Sequence, residues 1–187
     1  MHPRIREVLA DLDTRRAALE RAVHAVPAEL RERRPAPDRW SVAEVLGHVV
    51  LVNGQITGLL TSVIDSARAA GLGAEQETSP VVSTLDISRI LDRSRPVVAS
   101  AASQPRAGMS VSEAEAALTQ QGKALRAVLL SADGLALTEV SATNPVLGPL
   151  NVYQWVLFLG AHEARHTAQI DEIGTALSIV PTPIPPA

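Results

Sequence analysis

The sequence predicts an all-α protein, a four-helix bundle with short extra helices. Three observations carry that expectation. Four long stretches place apolar side chains at three- and four-residue steps, as helices with one buried face do. No stretch alternates apolar and polar residues with the period of two that a half-buried strand requires. Cap and breaker residues fall at the ends of the periodic stretches, which leaves helix packed on helix as the way to bury their faces.

The first stretch runs from about Arg4 to Ala25, with Ile5, Val8, Leu9, Leu12, Leu19 and Val23 on one side and Arg15, Arg16 and Arg21 on the expected wet side. Pro27 ends it, and a polar link follows through Arg34-Pro35-Ala36-Pro37-Asp38. Ser41-Val42-Ala43-Glu44 reads as a capping box, a side-chain oxygen and a carboxylate three residues apart that satisfy each other's backbone N–H groups. It opens a second helix reaching about Ala70, where Gly71-Leu72-Gly73 stops it.

Residues 72–84 read as loop. A short helix is expected from Asp86 to Ser94, with Ile87, Ile90 and Leu91 inward and Pro96 just after it, and residues 99–110 as a further connection. Ser110 or Ser112, each with a Glu three residues on, can cap a third long helix ending near Ser131, whose buried stripe holds Leu118, Gln121, Leu125, Val128 and Leu129. Asn144-Pro145 and Gly148-Pro149 mark turns. The last helix is expected from Asn151 to Leu177, before a Pro-rich tail at Val180–Ala187.

At 187 residues the chain is one domain's worth, and the whole of 1–187 is read as a single unit. There are no cysteines, so disulfides, thiolate ligands and a Cys nucleophile are excluded, and any metal site must use His, Asp or Glu. A net charge of −3 with scattered signs argues against a nucleic-acid partner. No apolar run approaches the roughly 20 residues of a membrane span, and the charged N-terminus does not resemble a secretion signal. A cytoplasmic protein is expected. The preference for Arg over Lys and the abundance of Ala hint at a GC-rich bacterial genome.

The chemistry concentrates in histidine. His162-Glu163-Ala164-Arg165-His166 places two imidazoles four residues apart, on one helix face and able to grip one ion. They lie on the stripe of Trp155, Leu159, Gln169, Ile170 and Ile173, which should point into the bundle. His48 occupies the corresponding place in the second helix, among Val45, Leu51, Val52 and Ile56. A lone inward His is more often a satisfied core residue than a ligand. An i, i+4 pair joined by a third inward His points to a divalent metal held by His48, His162 and His166, with zinc or nickel the foremost candidates. Glu44, Gln55 and Gln169 are the polar neighbours able to support those rings. His2 reads as a solvated terminal residue, and His24 as a cation suited to a helix end.

The pentad also spells H-E-x-x-H, the zinc-protease signature. Chance matches to it are common, no later residue supplies the usual third ligand, and Glu163 lies about 100° around the helix from His162. Pairing with Arg or solvent at the surface is the expected fate of Glu163.

The segment Arg34–His48, with Trp40-Ser41 and Glu44 before His48, resembles the "P-x-x-x-W-S-x-x-E-x-x-x-H" region of the DinB-like family. Gly148–Trp155 followed by His162–Ile170 resembles that family's closing "H-x-x-R-H-x-x-Q-I" helix. The resemblance covers nearly the whole chain. It implies an up-down-down-up bundle with a crossover connection and a three-histidine metal site mapping onto His48, His162 and His166. It also implies the activities of relatives, namely transferases using bacillithiol or mycothiol, a mycothiol-dependent maleylpyruvate isomerase and metal-dependent hydrolases, and a homodimer. A small-molecule thiol and an electrophile are therefore the expected partners. The alternative is a non-catalytic metal-binding or stress-induced bundle protein.

Overall fold

The computed structural model describes residues 1–94, 99–105 and 108–179. Its helices are α1 (Pro3–Ala25), α2 (Val42–Ala69), a single turn α3 (Ser88–Leu91), α4 (Val111–Ser131) and α5 (Val152–Ile179). Three short 3-10 turns interrupt the connections at Ala28–Leu30, Val82–Thr84 and Ala101–Ser103. The Pro-rich tail and Pro96 lie outside the described residues.

Local chemistry explains the helix starts. The Ser41 side chain accepts from the Glu44 N–H while the Glu44 carboxylate accepts from the Ser41 N–H, the reciprocal capping box expected for α2. At α4 the cap is Ser110 rather than Ser112, with Glu113 returning the bond. Asn151 and Gln154 exchange the same pair of bonds at the head of α5. Each such cap satisfies donors that the first helical turn otherwise leaves orphaned. His2 is no free terminal residue, because its ring accepts from the Arg4 N–H at 3.4 Å and caps α1.

Two apolar clusters set the helix directions. One joins the first half of α1 (Ile5, Val8, Leu12), the second halves of α2 and α4 (Ile56, Leu60, Ile64; Leu125, Leu129) and the first turns of α5 (Val152, Val156). The other joins the end of α1 (Leu19, Val23), the starts of α2 and α4 (Val42, Val45, Val49; Val111, Leu118) and the second half of α5 (Ile170, Ile173). So α1 and α5 run one way and α2 and α4 the other, an up-down-down-up bundle in which α1 packs on α5 and α2 on both α4 and α5. Because α2 and α4 are parallel, residues 70–110 must cross the length of the bundle between them.

That crossover is strapped down along its course. Arg4 donates to the Ser79 carbonyl and hydroxyl, and the Glu7 carboxylate accepts the N–H groups of Val81 and Val82. Arg165 on α5 donates to the Ile90 and Asp92 carbonyls around α3. Helix α3 is shorter than expected, and Ile90 alone is buried there while Leu91 is exposed.

One expectation is corrected by a β-hairpin. Strands β1 (Ser141–Asn144) and β2 (Gly148–Asn151) pair antiparallel, Ala142 opposite Leu150. Four-residue strands reading Ser-Ala-Thr-Asn and Gly-Pro-Leu-Asn carry no apolar alternation. Their stability comes from outside the pattern: Asn144 Oδ1 accepts the Val146 and Leu147 N–H groups, Gly148 takes a φ of +79°, and Trp155 Nε1 donates to the Ala142 carbonyl.

The structure also amends the reading of α2. It contains an 18-residue window of mean hydropathy 1.3, long and apolar enough by composition to cross a membrane. Here its apolar residues Val42, Val45, Leu46, Val49 and Leu60 are spent on the bundle core, as in any central helix.

Candidate metal centre

His48 sits in the second turn of α2, at a depth fixed by the Ser41 cap, and faces the middle of α5. There His162 and His166 project together from successive turns. His162 Nε2 lies 3.2 Å from His48 Nε2 and 3.1 Å from His166 Nε2. The three donor atoms all fall within 4.8 Å of one another. Imidazole nitrogens about 2.0–2.1 Å from a tetrahedral ion are separated by roughly 3.3–3.4 Å, so the two edges that meet at His162 are close to those of a coordination face.

The far side of each ring decides what the near side offers. His48 Nδ1 is 2.6 Å from the Ser103 carbonyl oxygen, which can only accept, so the ring proton sits on Nδ1 and Nε2 carries a lone pair. His166 Nδ1 is 2.9 Å from Gln169 Oε1, and the same reasoning applies. His162 Nδ1 is buried with no hydrogen-bond partner among the described residues. His162 Nε2 therefore faces two lone pairs at once and can give a proton to one of them at most. A shared cation satisfies all three nitrogens together, and the acceptors behind His48 and His166 are the usual outer support of metal-bound imidazoles. The residues present fit a divalent ion.

The protonation states agree. Burial pushes the His48 imidazole below its ordinary value. Burial, then the neighbouring His48 and Arg165 charges, push His162 down to about 3. Burial, then the His162 and His48 charges, push His166 well below the ordinary value. All three rings are neutral near pH 7, the form that ligates metals.

Aromatic rings wall the centre. Trp40 lies 5.1 Å from the His48 ring, Phe158 stacks 6.2 Å from His162, and Trp155 meets Phe158 edge-on at 5.6 Å. In a chain with only two Trp, one Tyr and one Phe, two of the four lie against the histidines and a third packs behind Phe158.

The supporting residues divide. Gln169 orients His166 as described. Gln55 is exposed, and its Nε2 donates to the Ala102 carbonyl at 2.9 Å, one residue before the carbonyl that meets His48. Glu44 is committed to Ser41 and to Arg34, with no hydrogen bond to the histidines, and the bond from Arg34 is the first cause of its lowered pKa. His24 stands apart, exposed and 3.0 Å from Glu115 on α4.

Glu163 overturns its expected surface location. It is 0% exposed, and its carboxylate takes Arg16 Nε at 2.9 Å, Arg16 Nη2 at 2.5 Å and Asn53 Nδ2 at 2.8 Å. The 100° offset from His162 points to α1, not to solvent, because α5 is covered on more than one side. Arg16, expected on the wet face, is drawn inward to meet it. A carboxylate so occupied is no general base, which removes the protease reading of the pentad. Arg16, Asn53 and the Ser103 carbonyl were not singled out from sequence; two are polar residues on helices, and the third is backbone, which carries no side-chain signal.

A four-helix bundle with three convergent, neutral, inward histidines defines a class of helical proteins equipped to hold a metal. Within it, the DinB superfamily model matches residues 11–170, and the chain belongs to that superfamily. Neither a curated protein nor a solved structure matches the chain.

Proposed function

We propose that this chain is a metal-dependent enzyme that holds a divalent ion, zinc or nickel, on His48, His162 and His166, and joins a low-molecular-weight thiol of the mycothiol or bacillithiol type to a small electrophile. The observation that carries the reading is the convergence of three Nε2 atoms, those of His48 and His166 each 3.1–3.2 Å from that of His162 and all three within 4.8 Å, with two of the rings held by acceptors behind. When bound, such an ion supplies Lewis acidity that lowers the pKa of a thiol or a water. Three protein ligands leave a coordination position for that group, as catalytic sites do.

The chain's own residues supply the rest. Neutral imidazoles leave the ion's charge uncompensated, which favours an anionic nucleophile. Trp40 and Phe158 offer apolar walls for the body of a substrate. With no cysteine in the chain, a sulfur nucleophile must arrive with the cosubstrate. Hydrolysis by an activated water uses the same residues. A homodimer in the cytoplasm completes the proposal.

The test mixes metal-loaded protein with candidate thiols and a chromogenic electrophile. Turnover that His48→Ala abolishes supports the proposal, whereas equal rates for wild type and variant reject it. A second reading, an ion that only stabilises the bundle, draws on the burial of His48 and His166, each 6% exposed. Chelation that lowers the melting temperature, in a protein whose melting no thiol shifts, favours that reading.

A further inference from the structure

We propose that Asn53 and the Arg16–Glu163 pair are positioning residues for the three-histidine centre, setting the rotation and register of α5 against α2 so that His162 and His166 meet His48. The inference rests on the metal-binding reading above.

The argument begins with spacing. Asn53 lies five residues after His48 on α2, and Glu163 directly follows His162 on α5. Their hydrogen bond of 2.8 Å therefore ties the two ligand-bearing helices within about a turn and a half of the ligands themselves. Arg16 adds α1 through its two bonds to Glu163, and adds α4 through Nη1, which donates to the Leu118 carbonyl at 2.9 Å. The Arg16–Glu163–Asn53 cluster thus joins all four long helices.

Apolar packing alone fixes such a register poorly. Leu, Ile and Val surfaces tolerate sliding and repacking, while a metal site needs its donors held within about 0.5 Å. A buried carboxylate accepts only partners at set directions. Stability is not a sufficient reason for this cluster, since well-packed apolar replacements of a buried ion pair are commonly as stable or more so. Asn53 supports the same view. It is 2% exposed and its Oδ1 has no hydrogen-bond partner among the described residues, an arrangement that costs stability and is retained beside the amide's bond to Glu163. The centre itself makes no use of the Glu163 carboxylate, whose hydrogen bonds go to Arg16 and Asn53.

The experiment measures Zn²⁺ affinity by competition with a chromogenic chelator, and the visible spectrum of the Co²⁺-loaded protein, whose bands report coordination geometry. The variants are Asn53→Ala, which leaves the Arg16–Glu163 pair intact, and the double variant Arg16→Met with Glu163→Leu, which removes both charges together. For each variant that remains helical and melts cooperatively, we expect Zn²⁺ affinity to fall about tenfold, as for other residues that orient metal ligands, and the cobalt bands to shift. Folded variants with wild-type affinity and an unchanged cobalt spectrum overturn the proposal. If the double variant does not fold, Asn53→Ala decides alone. A wild-type chain that binds neither ion overturns the metal reading and this inference with it, an outcome distinct from equal binding by wild type and variants.

Discussion

His48 Nδ1 and the Ser103 carbonyl oxygen stand 2.6 Å apart, so the crossover connection reaches back to determine which nitrogen of a histidine on α2 faces the bundle interior. The ring that completes the triad is oriented by a segment lying between α3 and α4. Gln55, donating to the neighbouring Ala102 carbonyl, holds that segment in place.

Metal content should follow the triad. Wild-type protein is expected to bind one Zn²⁺ per chain, and His48→Ala, His162→Ala or His166→Ala each to abolish tight binding. An ion present at a hundred times its dissociation constant stabilises the fold by about 2.7 kcal/mol. For a chain of this size that corresponds to a melting shift on the order of 5–10 °C. Calorimetry with and without chelator checks it, and identical melting curves contradict it.

Acid should destabilise the metal-free protein in a window set by the same rings. The folded pKa of each lies below the unfolded value near 6.5, His162 at about 3. The unfolded chain therefore takes up protons first as pH falls. The stability is fully present above about pH 6.5, and is lost as pH drops towards the folded values. Urea midpoints should be flat from pH 8 to 7 and decline through pH 6 and 5. A His166→Phe variant should decline less steeply, and parallel slopes for the two proteins would contradict the assignment.

Breaking one side of the buried pair should hurt more than removing both. Glu163→Leu leaves the Arg16 guanidinium, with a side chain 16% exposed, without its carboxylate. The expected loss is about 3–5 kcal/mol. Adding Arg16→Met should restore a substantial part of it. Urea denaturation of the two variants tests the order, and a double variant less stable than the single one reverses it.

Two glycines should respond against the naive order of distance. A Cβ at Gly160 would come 2.9 Å from Arg15 Cδ, and one at Gly174 would come 3.1 Å from Val26 Cγ2. Arg15 is a flexible, partly exposed side chain that can swing away, at the cost of an Asp11 pair worth at most about 1 kcal/mol. The gain in helix propensity is about 1 kcal/mol, so Gly160→Ala should be near neutral. Val26 is 3% exposed and stiff at χ1, so Gly174→Ala should cost about 1–3 kcal/mol. Melting temperatures of the pair decide.

The helices and the convergence of the three histidines were legible because both depend on spacing along the chain. Ser41 and Glu44 announce a helix start in four residues, and the His162–His166 interval places two rings on one face whatever surrounds them. Glu163 was misread because an angle around one helix does not reveal how many neighbours cover it; α1 closes over the side expected to be wet. The hairpin was missed because its pairing rests on Asn144, Gly148 and Trp155 rather than on alternation. The Ser103 carbonyl has no side-chain signature at all. Around the histidines, what escaped the sequence is what distant segments bring to a residue, as Arg16 does to Glu163 and Ser103 to His48.

The interval between His48 and His162 has a consequence for biosynthesis. During translation α2 emerges early, but the rings on α5 follow more than a hundred residues later, after the crossover, α4 and the hairpin. At typical elongation of about 5–20 residues per second, His48 waits several seconds or more for its partners. A nascent chain shorter than this holds only one of the three converging imidazoles. On the proposed reading, an ion shared by all three rings would therefore join the chain only after α5 has been made.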